Sequence, residues 1–133
     1  MAVQLSTSVR NARLDQIETT IGTTPVLKIR TGAAPANCAT ADSGTVLATL
    51  TLPSDWLAAA SSGSKAISGT WQDTSADATG TAAHFRIYES TATTCHIQGT
   101  VGQGSGDLSL DNTSIVAGQT VTVTAFTLTD GNA

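Results

Sequence analysis

The chain has 133 residues, enough for one domain, with 40% apolar residues, 4% aromatics and only 12% charged side chains. Six Lys and Arg against ten Asp and Glu give a net charge of −4, and no stretch gathers cations into a stripe. Binding to phosphate backbones needs clustered cations, so nucleic acid is not an expected partner. No apolar run approaches the roughly 20 residues that span a bilayer, so no membrane partner is expected either.

Residues 6–21 form the one expected helix. Val9, Ala12, Ile17 and Ile21 recur at helical steps, with Arg10, Arg13, Gln16 and Glu18 largely on other faces. Ser6 or Thr7 is placed to cap its start and Gly22 to end it. A stripe this narrow is marginal alone and must dock on its own domain or on a neighbour. Residues 1–24 are therefore set apart as a helical arm, and residues 25–133 as a β domain.

After Pro25 the apolar period becomes two. Residues 26–30 alternate, and 31–43 (TGAAPANCATADS) carry the Gly, Pro, Asn and Asp of a loop. A strand is expected over 45–52, ended by Pro53, with Ser54 and Asp55 capping a short helical turn through Trp56, Leu57 and Ala60. Another spans 65–72, with Gly69 as a weak point. Residues 73–80 connect to a strand over 83–89, where Phe85 and Ile87 face inward and His84, Arg86 and Tyr88 outward. Residues 94–101 pair back as a hairpin, with Cys95 and Ile97 on one face. In the last strand, 120–129, Val121, Val123 and Ala125 keep one phase while Phe126 and Leu128 take the other. A bulge near Ala125 would absorb the slip. About seven or eight strands separated by turns suggest an all-β antiparallel sandwich, jelly-roll or immunoglobulin-like, with one N-terminal helix.

Signs of chemistry are few. Ser105 in GQGSG has no helix after it, so neither a nucleophile elbow nor a phosphate loop is expected. His84 and His96 fall on polar strand positions and read as surface or interface residues. Asp73, Asp77, Asp107 and Asp111 read as turn formers, because a Ca²⁺ loop needs more oxygen ligands around its glycine. Asn112-Thr113-Ser114 matches a glycosylation sequon, but no secretory signal is expected from the opening residues, so use of the sequon is not expected. No catalytic residue, cofactor or metal site is expected. Cys38 and Cys95 lie far apart in sequence; they are either two buried thiols or a disulfide. Trp56 and Trp71 belong to the core or to an interface, where either would be an anchor. The exposed strand faces carry Thr and Ser, which cost less to desolvate than charges.

Taken together, LSTSVRNARLDQIETTIG (residues 5–22), LKIRTGAAPAN (27–37), GTVLATLTLPSDW (44–56), DTSADATGTAAHFRIYES (73–90) and GSGDLSLDNTSIVAGQTVTVTAFTLT (104–129) resemble small virion structural proteins of tailed bacteriophages and prophages. The likeness runs nearly end to end. It implies a non-enzymatic particle component, made in the host cytoplasm and packed into the virion. Its foremost form is a head decoration or cement protein bound to the major capsid protein, often as a trimer. Tail, neck or fibre components come next, and a carbohydrate-binding surface module after them. Val9, Arg10, Arg13, Ile17, Trp56, Trp71 and Tyr88 are the candidate interface residues. The cysteine pair is not part of the shared pattern.

Overall fold

The computed structural model describes residues 3–131; residues 1, 2, 132 and 133 of the expected domain ranges lie outside the described residues. Helix α1 spans Thr7–Ile21. Ser6 caps it by accepting from the Val9 N–H at 3.2 Å, and Gly22, at φ +91°, ends it by donating to the Glu18 carbonyl at 2.9 Å.

Its docked face differs from the expected stripe. Leu14 and Ile21 are buried and Ile17 packs beside them, whereas Val9 is 46% exposed. At 100° per residue Val9 stands about 140° around the axis from Leu14, so one surface cannot bury both. The other contacts of the docked face are polar. The Asn11, Asp15 and Glu18 side chains accept from the backbone N–H groups of Gly63 (2.9 Å), Ala60 (3.0 Å) and Leu57 (2.8 Å). The helix thus acts as a hydrogen-bonding edge for the 57–63 segment, whose donors would otherwise be orphaned. Arg10 donates to the Asp130 carbonyl at 3.1 Å and Arg13 pairs with the Asp130 carboxylate at 3.2 Å. The expected arm is docked on its own domain.

The strands are β1 (Val26–Arg30), β2 (Val46–Thr51), β3 (Ser64–Ala66), β4 (Gln72–Asp73), β5 (Gly80–Thr81), β6 (His84–Tyr88), β7 (Cys95–Gly102), β8 (Leu108–Leu110), β9 (Ser114–Ile115) and β10 (Val121–Thr129). Eight join in one curled sheet of order β2-β1-β6-β7-β8-β10-β3, with β4 also on β10; β5 and β9 form a separate pair. The chain is therefore mostly β with one N-terminal helix, as expected. Among the described residues the strand pairs are antiparallel except β7 and β8, which run parallel. That exception makes the sheet mixed.

The bulge expected near Ala125 is present. The β10–β8 register shifts between Val123 and Ala125, so Val121, Val123 and Phe126 all point inward. The strand expected over 65–72 is split into β3 and β4, with Gly69 between them at φ +74°. No helical turn follows Asp55. Instead Leu57 bridges Ile67, and the Leu57 N–H goes to Glu18.

The curl encloses a row of aromatics. Trp56 and Trp71 lie 5.9 Å apart, Trp71 and Phe126 5.7 Å, and Phe85 meets Phe126 edge-on at 5.5 Å. Each such pair adds about 0.5–1.5 kcal/mol beyond its burial. The indole N–H groups are satisfied, Trp56 by the Gly22 carbonyl at 3.0 Å and Trp71 by the Trp56 carbonyl at 3.1 Å.

Candidate functional site

The densest polar cluster lies on the side of β6 expected to face solvent. His84, Arg86 and Tyr88 are all buried there, which corrects their outward assignment. The period-two phase is right, but the loop between β1 and β2 folds over this face and replaces water with carbonyls. Arg86 is the centre. Its guanidinium donates to Asp42 at 2.6 Å, to the Asn37 and Thr40 carbonyls at 2.9 Å each, and to the Gln98 side-chain oxygen at 2.9 and 3.1 Å. Gln98 in turn donates to the Pro35 carbonyl at 2.7 Å, and His84 Nδ1 donates to the Gly32 carbonyl at 2.7 Å. A carbonyl only accepts, so this contact puts the proton on Nδ1.

Asp42 gathers the remaining donors. Besides Arg86 it accepts from the Tyr88 hydroxyl at 2.8 Å and from Arg30 at 3.0 Å. Burial works against its charge, yet the bonds from Tyr88 and Arg86 and the two guanidinium charges prevail and hold its pKa below the usual carboxylate value. Burial and the bond to Asp42 push the Tyr88 hydroxyl up. The guanidinium of Arg86 is also shifted up: burial opposes this, and the bond to Asp42 overcomes it.

Cys38 of the loop and Cys95 at the start of β7 meet at the edge of this cluster as free thiols, Sγ to Sγ 2.7 Å. The β6–β7 register shifts between Ile87 and Tyr88, which sets Cys95 opposite Tyr88 under the loop while Ile97 stays against the core. Expecting the two on one face missed that bulge. Burial first, then the bond to Cys38, pushes the Cys95 thiol up to about 12.

A second buried cation, Lys65, joins the helix to β3. Its ammonium lies 2.7 Å from Asp15, 3.7 Å from Glu18 and 2.8 Å from the Ala58 carbonyl. The Lys65 hydrogen bond is the largest influence lowering the pKa of Asp15.

The remaining candidates scatter. His96 pairs with Glu89 at 3.1 Å near one end of the β6–β7 hairpin, while His84 sits opposite Thr100 at the other. The two histidines are not brought together. Glu89 organises its turn by accepting from Thr91, Thr93 and Thr94, and the threonine hydroxyls hold its carboxyl far below the usual range. Asp73, Asp107 and Asp111 accept from the Ser75, Thr100 and Asn112 N–H groups, and Asp77 from the Thr49 hydroxyl. Among the described residues no three metal-ligating side chains gather, and no helix is long and apolar enough to cross a membrane. Of the expected interface residues, Val9 and Arg13 are exposed, and Arg10 and Ile17 are half-buried on their own domain. Trp56, Trp71 and Tyr88 are interior.

A groove of about 820 Å³ opens between β7 and β10, with Phe85 and Phe126 beneath it and the 104–107 loop closing one end. Compared with protein-family models, curated proteins and solved structures, the chain shows no significant match to any.

Proposed function

We propose that this protein is a structural component of a bacteriophage particle, a head decoration or cement protein that stabilises the shell by packing against the major capsid protein and against copies of itself, with a trimer as the expected unit. The observation that carries this reading is how the buried cations are used. Arg30, Arg86 and Lys65 each bind one part of the chain to another: loop to sheet, or helix to sheet. Such ties stiffen surface segments that would otherwise be mobile, a property suited to a part that must hold its shape in a lattice. The curled sheet would serve as the rigid body for which a sandwich was expected, with its Thr- and Ser-bearing faces outward.

The mechanism is linkage. A protein that binds the assembled shell and not its dissociated subunits stabilises the shell by RT ln(1 + [L]/Kd). A location in the tail, neck or fibre is the second reading. A sugar-binding role loses support, because Trp56, Trp71 and Tyr88, which would form its platform, are buried.

The test is copy number by mass spectrometry of gradient-purified particles. A decoration protein appears in numbers comparable to the capsid protein, and a tail component in far fewer. Absence from particles removes the reading.

A further inference from the structure

Lys65 carries its amine into the interior, between two carboxylates of α1. Its Nζ donates to Asp15 Oδ1 at 2.7 Å and to the Ala58 carbonyl at 2.8 Å, and Glu18 Oε1 lies 3.7 Å away. The Asp15 carboxyl carbon is one C–O bond beyond Oδ1, so it lies within about 3.9 Å of the nitrogen, close to the roughly 3–3.5 Å of a reacting pair.

The other contacts are arranged as an attack on that carbon needs. Asp15 Oδ1 also accepts from the Ala60 N–H at 3.0 Å, a donor placed to hold negative charge on this oxygen as the carbon becomes tetrahedral. The Asp15 side chain is half exposed, so departing water has a way out, whereas the amine is dry. Glu18 Oε2 accepts from the Leu57 N–H at 2.8 Å, which fixes this carboxylate with Oε1 toward Lys65. Asp15 and Glu18 stand three residues apart on one helix and share a face, so a proton that Glu18 takes from Lys65 is held beside the Asp15 carboxyl. Burial makes the ammonium costly and favours a neutral, nucleophilic amine. Conversion to an amide would remove the buried charge altogether.

We propose that Lys65 and Asp15 join in a self-catalysed isopeptide bond, which ties α1 covalently to β3 between residues 50 positions apart. Glu18 takes one proton from the Lys65 ammonium and passes it to Asp15 Oδ2, leaving a neutral amine facing a neutral carboxyl group. The amine lone pair forms the Nζ–Cγ bond. Glu18 then moves a second proton from the nitrogen to the Oδ2 hydroxyl, the Cγ–Oδ2 bond breaks, and water leaves. Lys65 keeps one N–H, Glu18 ends as the carboxylate it began as, and no oxidant or co-reactant is consumed. The Lys65 hydrogen bond holds the Asp15 carboxyl below its usual pKa, so the neutral pair is the minor form and the reaction follows folding slowly. Until it occurs, the three groups act as the ion cluster described above.

The test follows the intact mass of the full folded chain as purified and through days of incubation. The linked form is lighter by one water. Trypsin should then fail to cut after Lys65 and should release residues 14–28 branched onto residues 31–86. Lys65→Met has no amine and should keep its full mass. Glu18→Gln still accepts from the Leu57 N–H but carries no proton, and should slow the appearance of the branched peptide at least about a hundredfold. Circular dichroism checks that each variant is folded, and the wild-type measurement stands without them. A wild-type chain that keeps its full mass and its cut at Lys65 overturns the proposal. So does a loss of water that persists in Lys65→Met, or a Glu18→Gln chain that links at the wild-type rate. The bond lies within one chain, so it can be absent while particle copy number still supports the proposed function, and the reverse.

Discussion

Arg86 and Asp42 meet at 2.6 Å although 44 residues separate them in sequence, and their contact joins the 31–45 loop to the middle of the sheet. The guanidinium is 2% exposed whereas the carboxylate is 41% exposed. Asp42 can recover water if its partner is lost; the Asn37 and Thr40 carbonyls and the Gln98 oxygen lose their donor as well. Arg86→Met should therefore cost about 2–4 kcal/mol, below the extreme for a fully buried pair. Urea denaturation measures the cost, and limited proteolysis should cut within 33–44 before the rest of the chain opens.

Acid should release the same loop. The pKa of Asp42 is lowered in the folded chain, so the stability it contributes is present above the unfolded carboxylate value of about 4 and is lost as pH falls through the folded value. Asp15 and Glu89 are shifted the same way, so all three favour folding near neutrality and withdraw in acid. Tm measured from pH 6 downward should fall below about pH 4. Asp42→Asn should be less stable at neutrality and show a shallower acid slope.

Lys65 offers a test of which partner in a buried cluster matters more. Its side chain is 1% exposed, whereas those of Asp15 and Glu18 are 49% and 25% exposed. Lys65→Met replaces the ammonium with a side chain of similar volume, and the freed carboxylates can hydrate; the expected cost is about 1–2 kcal/mol. The double change Asp15→Ala and Glu18→Ala strands the ammonium and also orphans the Ala60 and Leu57 N–H groups. It should be the more destabilising of the two, as judged by urea midpoints, and a reversed order would show that the ammonium reaches water.

Local periodicity carried much of this fold, because strand phase depends on neighbouring residues. The β6–β7 hairpin, the Ser6 cap and the β10 bulge near Ala125 were all legible for that reason. What lay outside reach depended on segments distant in sequence. Arg86 and Tyr88 occupy outward positions of β6, and nothing near them signals that Asp42 covers them. The helix misled in a different way. Its docked face uses Asn11, Asp15 and Glu18 to serve backbone donors of another segment, so an apolar stripe could not reveal it. Lys65, a charged residue in a short strand, gave no sign that two helix carboxylates await it.

Oxidation should convert the Cys38–Cys95 contact into a covalent tie on the same loop. The thiols are 57 residues apart, and closing a loop of that length stabilises by at most about 4 kcal/mol in the chain-entropy treatment. Peptide mapping after mild oxidation should recover the linked pair, and Tm should exceed that of the reduced chain. The alkaline limb separates the two forms further. A Cys95 thiol at about 12 binds its proton more tightly folded than unfolded, so the reduced chain loses stability as pH rises above the unfolded thiol value of about 8.5. The oxidised chain has no thiol to titrate and should hold its Tm until pH passes the unfolded tyrosine value of about 10, where Tyr88, shifted in the same direction, begins to withdraw its own contribution. Equal alkaline slopes for the two forms would mean that Cys95 is not shielded from water.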